Sequence, residues 1–358
     1  MSNYLIKLFK ISNVDKYRWK SVIFVALLWT LVDFIILLLR DERDDYQAAD
    51  SVWFRELLVF MVSIFMGYLF VYKLKKVLRS YPLWINFILK SCILLGSALL
   101  ITFLLQFLHF LIFVGKTPTH AYQDILDYAL HRNWLLQKIF YWLCIFFVTQ
   151  LFLIINEKYS PGVFLDILRG KYIQPKIEKR IVMFIDLKDS TPIAEKLGHH
   201  VYFKFIKDFI YHVSSAMIEY DGIIYQYVGD EVITSWIYKK NNMKRCLAAV
   251  IQARRNIQKR SEYFRREFNQ IPEFRVGIHV GDVTVGEIGV IKKDLAMSGD
   301  TMNTTARLRS ACNELNEHFI VSKDFIEHSD METWQSKSLG MVDLKGKGQS
   351  LELFSLQI

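Results

Sequence analysis

The sequence predicts two structural classes in one chain: an N-terminal all-α four-helix transmembrane bundle and a C-terminal α+β domain. Three observations predict it. Hydrophobic residues make up 52% of the chain although 23% are charged, so the apolar residues must be segregated, and they crowd the first 156 positions. Four stretches there approach the ~20 apolar residues that a spanning helix needs. The remainder alternates short apolar runs with amphipathic stretches, as packed strands and helices do. The boundaries that follow are a membrane domain over 1–156, a linking or transducing segment over 157–179 and a soluble domain over 180–358.

The four spans fall at 22–39, 52–72, 91–114 and 135–155. Arg55 and Glu56 at the start of the second, and Lys138 near the start of the fourth, are placed where long side chains reach headgroups. Lys7, Lys10, Lys16, Arg18 and Lys20 precede the first span; Lys73, Lys75, Lys76 and Arg79 lie between the second and third; Lys158, Arg169 and Lys171 follow the fourth. The other two loops are less basic: Asp41, Glu42, Asp44, Asp45 and Asp50 outweigh Arg40 and Arg43 in one, and Asp124 and Asp127 balance Lys116 and Arg132 in the next. Basic flanks favour the cytoplasm. The expectation is an integral protein of the cell (inner) membrane, embedded in lipid, with both termini and the soluble domain cytoplasmic.

These flanks account for the net charge of +9 without nucleic acid as a partner. The outer loops are too short for a folded ligand-binding domain. The first apolar run is long and lacks a small-residue cleavage site, so a cleavable signal peptide is not expected. Cys92, Cys144, Cys246 and Cys312 show no disulfide or zinc spacing. Asp33 is an acid inside the first span with no evident basic partner deep in another, and reads equally as a functional group or a bundle-facing contact. His109 has the chemistry of a cofactor ligand, but an interhelical hydrogen bond is its ordinary role. Pro161-Gly162 breaks any helix leaving the membrane, and a short amphipathic piece over 163–168 follows, either a transducer or a passive tether.

In the soluble domain, RIVMFIDL at 180–187 reads as a buried strand ending near an acid. Residues 192–220 have helical periodicity. GIIYQYV at 222–228 and EVITSW at 231–236 form a hairpin around Gly229-Asp230. Residues 243–268 read as one long helix. Residues 274–280 and 283–288 read as two strands turning at Gly281-Asp282. A helix over 300–313 and late strands over 341–344 and 351–356 complete the domain. The order β-α-β-β-α-β is the ferredoxin-like pattern.

Asp186 near the end of the first strand and Asp230 at the hairpin are placed to converge at one sheet edge. Two carboxylates with substrate phosphates are the usual magnesium cradle, and two such metals can drive an in-line displacement. Alone, Asp230 is also an ordinary turn residue. Asn303 and Arg307 are four apart on a predicted helix and share a face; an arginine so placed can stabilise charge on phosphoryl oxygens. Lys345, among glycines after a strand, can grip a terminal phosphate.

Five segments resemble the catalytic domain of class III adenylate/guanylate cyclases: FIDLKDST at 184–191, YQYVGDEV at 225–232, GIHVGDVTVGEIG at 277–289, GDTMNTTARL at 299–308 and LKGKG at 344–348. The resemblance covers roughly 180–354 and keeps the family's order. It implies a head-to-tail homodimer with shared sites. One subunit supplies the metal ligands, Asp186, Asp230 and the backbone carbonyl of Leu187, for two Mg²⁺ or Mn²⁺ ions per site. The other supplies Asn303, Arg307 and the phosphate-binding Lys345. The ribose 3′-oxygen of a nucleoside triphosphate attacks the α-phosphorus and pyrophosphate leaves. Where adenine-reading members carry Lys and Asp or Thr, this chain has Gln226 and Ala296, so the base is open between adenine, guanine and even a pyrimidine, with ATP the default and GTP the rival. The hallmark turn of diguanylate cyclases and the P-loop G-x-x-x-x-G-K-[ST] are both absent. A catalytically inactive cyclase-like receptor module has no need of all five side chains. A transporter or channel is weakly supported, since no repeat is visible.

Overall fold

The computed structural model describes residues 12–39, 49–74, 77, 81–131, 134–158, 163–291, 293–328, 335–343 and 350–357. Lys345, Pro161-Gly162 and the charged loop at 40–48 lie outside them. The chain divides into two compact units, residues 15–158 and a second made of 1–14 with 159–358.

The first unit is helical: α1 (Asn13–Leu39), α2 (Ala49–Tyr68, running on as a π-helical turn over Leu69–Leu74), α3 (Leu83–Ile112), α4 (Pro118–His131) and α5 (Trp134–Lys158). Three of these helices are long and apolar enough to cross a membrane, over Asn13–Leu38, Val52–Leu74 and Trp84–Ile112; α5 carries a shorter apolar stretch, Ile139–Ile155. Trp29, Met66, Phe70, Leu94, Trp142 and Phe146 pack into one cluster between the helices. Leu31, Met61, Phe65, Leu100 and Phe140 stay exposed on the outside, the inverse of a water-soluble bundle and suited to lipid. The buried Trp29 indole donates to Thr149 at 2.9 Å.

Asp33, with no evident basic partner deep in another span, finds one near the start of α2, and Arg55 departs from the expected reach toward the headgroups. Arg55 turns inward and meets Asp33 at 3.0 Å, both side chains nearly buried. The pairing crosses two spans whose register a linear sequence does not reveal. His109 is buried and stacks on Phe113.

The second unit begins with a short helix, α6 (Val163–Leu168), and is built on one mixed sheet. Its elements are β1 (Lys176–Leu187), α7 (Ser190–Glu219), β2 (Ile223–Val228), β3 (Glu231–Ile237), α8 (Lys240–Gln258), α9 (Ser261–Phe268), β4 (Phe274–Ile288), β5 (Asp294–Ser298), α10 (Asp300–Glu314), β6 (Phe319–Ser322), α11 (Lys323–Glu327), β7 (Ser336–Val342) and β8 (Leu351–Leu356). The strand order is β2-β3-β1-β4-β6-β8-β7, with β5 paired to β4. β1 lies between β3 and β4, antiparallel to both, the central position of the β-α-β-β-α-β arrangement.

Alternation along β1 feeds two cores. Ile181, Met183 and Ile185 join Phe205, Phe209, Leu247 and Phe264 under α7, α8 and α9. Val182 and Phe184 join Ile233, Val283, Met297 and Met302 on the opposite face. Asp186 continues the Val182–Phe184 series by parity. The same parity puts Glu231 on the face of Ile233.

Two sequence expectations change here. The turn at Gly281-Asp282 is absent: β4 runs unbroken, paired to β1 through Arg180↔Gly281 and Lys179↔Asp282. A Cβ on Gly281 would meet the Thr301 hydroxyl of α10, so this glycine marks a close helix approach rather than a bend. The single helix over 243–268 is two, α8 and α9. The change of direction brings Phe264 and Phe268 against Phe205, with ring centroids 5.8 and 5.3 Å away. No glycine or proline between Gln258 and Ser261 signalled that break.

Candidate active site

β1 and β3 deliver the acids. Their register runs to Ile185↔Val232, and one further step sets Asp186 opposite Glu231, the neighbour of Asp230. The Gly229-Asp230 turn between β2 and β3 is made by a residue at φ +63°, natural for glycine. Asp186 thus lies at the end of β1 beside the β2–β3 turn, in electrostatic reach of Asp230. Leu187 ends β1 with its side chain in the core. α7 opens three residues after it, so the helix's amino end lies beside the acids in sequence.

The acids are poorly compensated. Burial pushes the Asp186 carboxyl up to about 6; the Arg309 guanidinium opposes this, and the charges of Asp230 and Glu231 add to it. Burial likewise raises Glu231, against Arg309. The Tyr202 phenol of α7 is raised by burial and then by Asp230 and Asp186. Asp230 Oδ2 is buried and accepts no hydrogen bond among the described residues. An orphaned carboxylate oxygen next to a desolvated second acid fits a divalent cation. Among the described residues no three His, Cys, Asp or Glu side chains gather in a metal-holding group. Two carboxylates suffice where substrate phosphates supply the remaining oxygens.

Sequence reasoning missed Arg309. Its Nε donates to Glu231 Oε1 at 2.7 Å, and its NH1 stands 3.4 Å from Asp186 Oδ2. Gly277 makes this reach available: a Cβ there would collide with the Arg309 backbone nitrogen, so only glycine lets α10 lie this close to β4. Spacing was the signal that could have found it. Arg309 is two residues beyond Arg307, about 200° round a helix, so the two arginines address different surfaces.

Asn303 and Arg307 share the other side of α10, Asn303 exposed and Arg307 half-buried. Neither is brought to the acids of its own chain by any ion pair of the described residues. Gln226 is exposed on β2, opposite Ile233. Ala296 is half-buried on β5, opposite Gly286. The Met297 amide donates to the Tyr225 hydroxyl at 3.1 Å, tying the two strands together one residue from each.

This fold, with paired acids at the β1–β3 edge and an Asn/Arg helix face, defines a nucleotidyl cyclase domain. The chain belongs to the adenylate and guanylate cyclase catalytic domain family, whose model matches residues 173–357. It is 31% identical over 204 residues to adenylate cyclase 2 of Rhizobium meliloti (strain 1021), covering 56% of each chain. It is 20% identical over 216 residues to an adenylate cyclase of Anabaena cylindrica, covering 56% of this chain and 42% of that one. It is 24% identical over 199 residues to retinal guanylyl cyclase 2 of Homo sapiens, covering 54% and 18%. The chain therefore spans about half the length, or less, of these relatives. A solved bacterial light-regulated adenylyl cyclase aligns with a TM-score of 0.52 at 18% identity, over 59% of this chain and 62% of that one; at that identity the likeness is one of fold.

Proposed function

We propose that the chain is a membrane-anchored nucleotidyl cyclase that converts ATP to 3′,5′-cyclic AMP and pyrophosphate for signalling, at sites shared by two copies. The observation that carries it is a division of labour on α10 and the sheet edge. Asp186 and Asp230 lie within electrostatic reach of each other, while Asn303 and Arg307 lie on a helix face turned from Arg309, the arginine that pairs with Asp186 and Glu231. One chain holds two half-sites rather than one whole site, and head-to-tail pairing completes both.

In this reading Asp186, Asp230 and the Leu187 carbonyl would hold two Mg²⁺ or Mn²⁺ ions. Bound metal supplies Lewis acidity toward the attacking and leaving oxygens. Arg307 from the second copy meets charge growing on the α-phosphoryl oxygens, and Asn303 orients the ribose. Lys345 grips the terminal phosphate. The 3′-hydroxyl gives its proton to water and its oxygen bonds to the α-phosphorus as the bond from that phosphorus to the bridging oxygen breaks, releasing pyrophosphate. Four spans, α1, α2, α3 and α5, fix the enzyme in lipid, with both termini on the basic, cytoplasmic side.

Gln226 and Ala296 leave GTP, or another nucleoside triphosphate, as the second reading. An amide both donates and accepts, and Ala296 offers only its backbone. Offering all four nucleoside triphosphates together, with Mg²⁺ or Mn²⁺, and identifying the cyclic product tests the proposal. Cyclic AMP is expected, cyclic GMP would install the second reading, and no pyrophosphate from any nucleotide would remove the enzymatic one.

A further inference from the structure

The amphipathic piece after the last apolar helix takes no part in the proposed reaction. In α6, Leu165, Leu168 and Arg169 are three and four residues apart and so share one face. Leu165 is 51% exposed and Leu168 65%. Gly170, at φ +70°, ends the helix. Its N–H donates to the Ile167 carbonyl at 2.9 Å, and the Lys171 N–H to the Asp166 carbonyl at 3.0 Å, the paired bonds of a Schellman turn. The turn folds Ile173 back over Gly170, where an added Cβ would lie 2.9 Å from Ile173 Cδ1. Ile173 is itself 73% exposed. Three large aliphatic side chains therefore stand exposed around this turn, although Tyr172 between them is buried in the core.

The charge beside them is positive. Arg169 and Lys176 are exposed. The one acid of α6, Asp166, is held by Lys171 at 3.0 Å, and Glu178, the next acid along the chain, by Arg180 at 2.6 Å. Exposed aliphatic side chains beside cations suit the boundary between headgroups and acyl chains of an anionic leaflet. The chain itself supplies proximity. Only residues 159–162 separate Lys158, the last residue of α5, from Val163, and so short a connection reaches about 18 Å at most. A second copy packed here through so small a patch would bring Arg169 and Lys176 close to their own counterparts; an anionic leaflet attracts both.

We propose that α6 and the turn after it dock on the membrane leaflet from which α5 emerges. Leu165, Leu168 and Ile173 enter the headgroup–acyl boundary, and Arg169 and Lys176 bind the phosphates of anionic lipids. The inference rests on the reading that α5 enters the membrane and not on the reaction of the second unit. The joint between the units is then fixed to lipid rather than a passive tether, and the charge of the leaflet becomes an input to it.

Electron paramagnetic resonance of the full chain in nanodiscs containing phosphatidylglycerol tests this. A nitroxide is attached at Leu168→Cys or, separately, at Leu165→Cys, with Cys92 and Cys144 replaced by alanine and the buried Cys246 and Cys312 left in place. Relaxation by oxygen, which concentrates among acyl chains, is compared with relaxation by a water-soluble nickel chelate. Phe147→Cys on the exposed side of α5 marks lipid, and Gln258→Cys at the exposed end of α8 marks water. Both α6 labels should lose most of the nickel relaxation seen at the Gln258 position, and Arg169→Glu combined with Lys176→Glu should restore it. Melting curves show whether each variant is folded; should one label position unfold the chain, the other decides. Nickel relaxation of the α6 labels equal to that at the Gln258 position, with the Phe147 label in lipid, would overturn this proposal alone. Nickel access at the Phe147 position would overturn the membrane reading with it. Nickel exclusion undiminished by the two glutamates, or dipolar broadening between α6 labels of two copies that persists in detergent, would assign the patch to another occupant and overturn the proposal too.

Discussion

Arg309 donates to Glu231 Oε1 at 2.7 Å while standing 3.4 Å from Asp186 Oδ2. One guanidinium thus bridges the half-buried Asp186 and the buried Glu231 at the edge where the metals are proposed to sit. With no divalent ion bound, it is the cation that touches them. Arg309→Gln should lower the metal-free stability of the chain by about 1–3 kcal/mol, since it strands buried charge. The same change should enlarge the rise in melting temperature on adding Mn²⁺, because the cradle is then more negative. Equal Mn²⁺-induced shifts in the native and variant proteins would mean that Arg309 and the metals do not share these carboxylates.

Asp186 is the converse case. Its burial disfavours the charged carboxylate, so Asp186→Asn should raise the metal-free melting temperature by a few degrees, corresponding to roughly 1–3 kcal/mol. It should also abolish pyrophosphate release. Asp230→Asn should abolish activity likewise. A metal-ligating role predicts this opposition between stability and activity; a purely structural acid would lose both together. Melting in EDTA beside a pyrophosphate assay separates the two.

At Gly277, β4 and α10 pack so closely that an added Cβ would meet the Arg309 backbone nitrogen and the Thr305 carbonyl. Gly277→Ala should cost about 1–3 kcal/mol by overpacking and move the whole helix, Asn303 and Arg307 included. Urea unfolding should show the loss in stability, and activity should fall although no catalytic side chain has changed. Gly340→Ala is a poor control, since Gly340 has φ +77°; Gly96→Ala, with open space around its Cβ position, is the proper one. Full activity in Gly277→Ala would show that α10 tolerates the shift.

What was legible in the sequence was whatever has a local signature. Apolar length marked the helices, alternation marked β1, and Gly229-Asp230 marked the β2–β3 turn. The convergence of Asp186 with Asp230 followed because β1 and β3 are neighbours in the β-α-β-β order. Long-range partners left no such trace. Asp33 and Arg55 meet across two helices, and Arg309 reaches Glu231 only because Gly277 admits α10. Gly281-Asp282 misled because the same dipeptide that makes one hairpin can let a helix crowd a continuous strand. The split between α8 and α9 was hidden because its cause is aromatic packing against Phe205, far off in the chain.

The proposal of shared sites has its sharpest test in complementation. Arg307 lies about 200° round α10 from Arg309, so the helix that turns Arg309 toward its own acids turns Arg307 away from them. An Asp186→Ala chain lacks a metal ligand but carries a sound Asn303/Arg307 face; an Arg307→Ala chain is the reverse. Each alone should be inactive. In the mixed dimer one site gathers both lesions and the other gathers none. Random pairing then restores on the order of a quarter of native activity, as two-fold symmetry with two equivalent sites requires. Mixing the two purified chains and following pyrophosphate release measures this directly, with the single variants as baselines. Activity that stays at baseline, while cross-linking shows that mixed dimers have formed, would place the acids and Arg307 in one chain's site and end the head-to-tail reading.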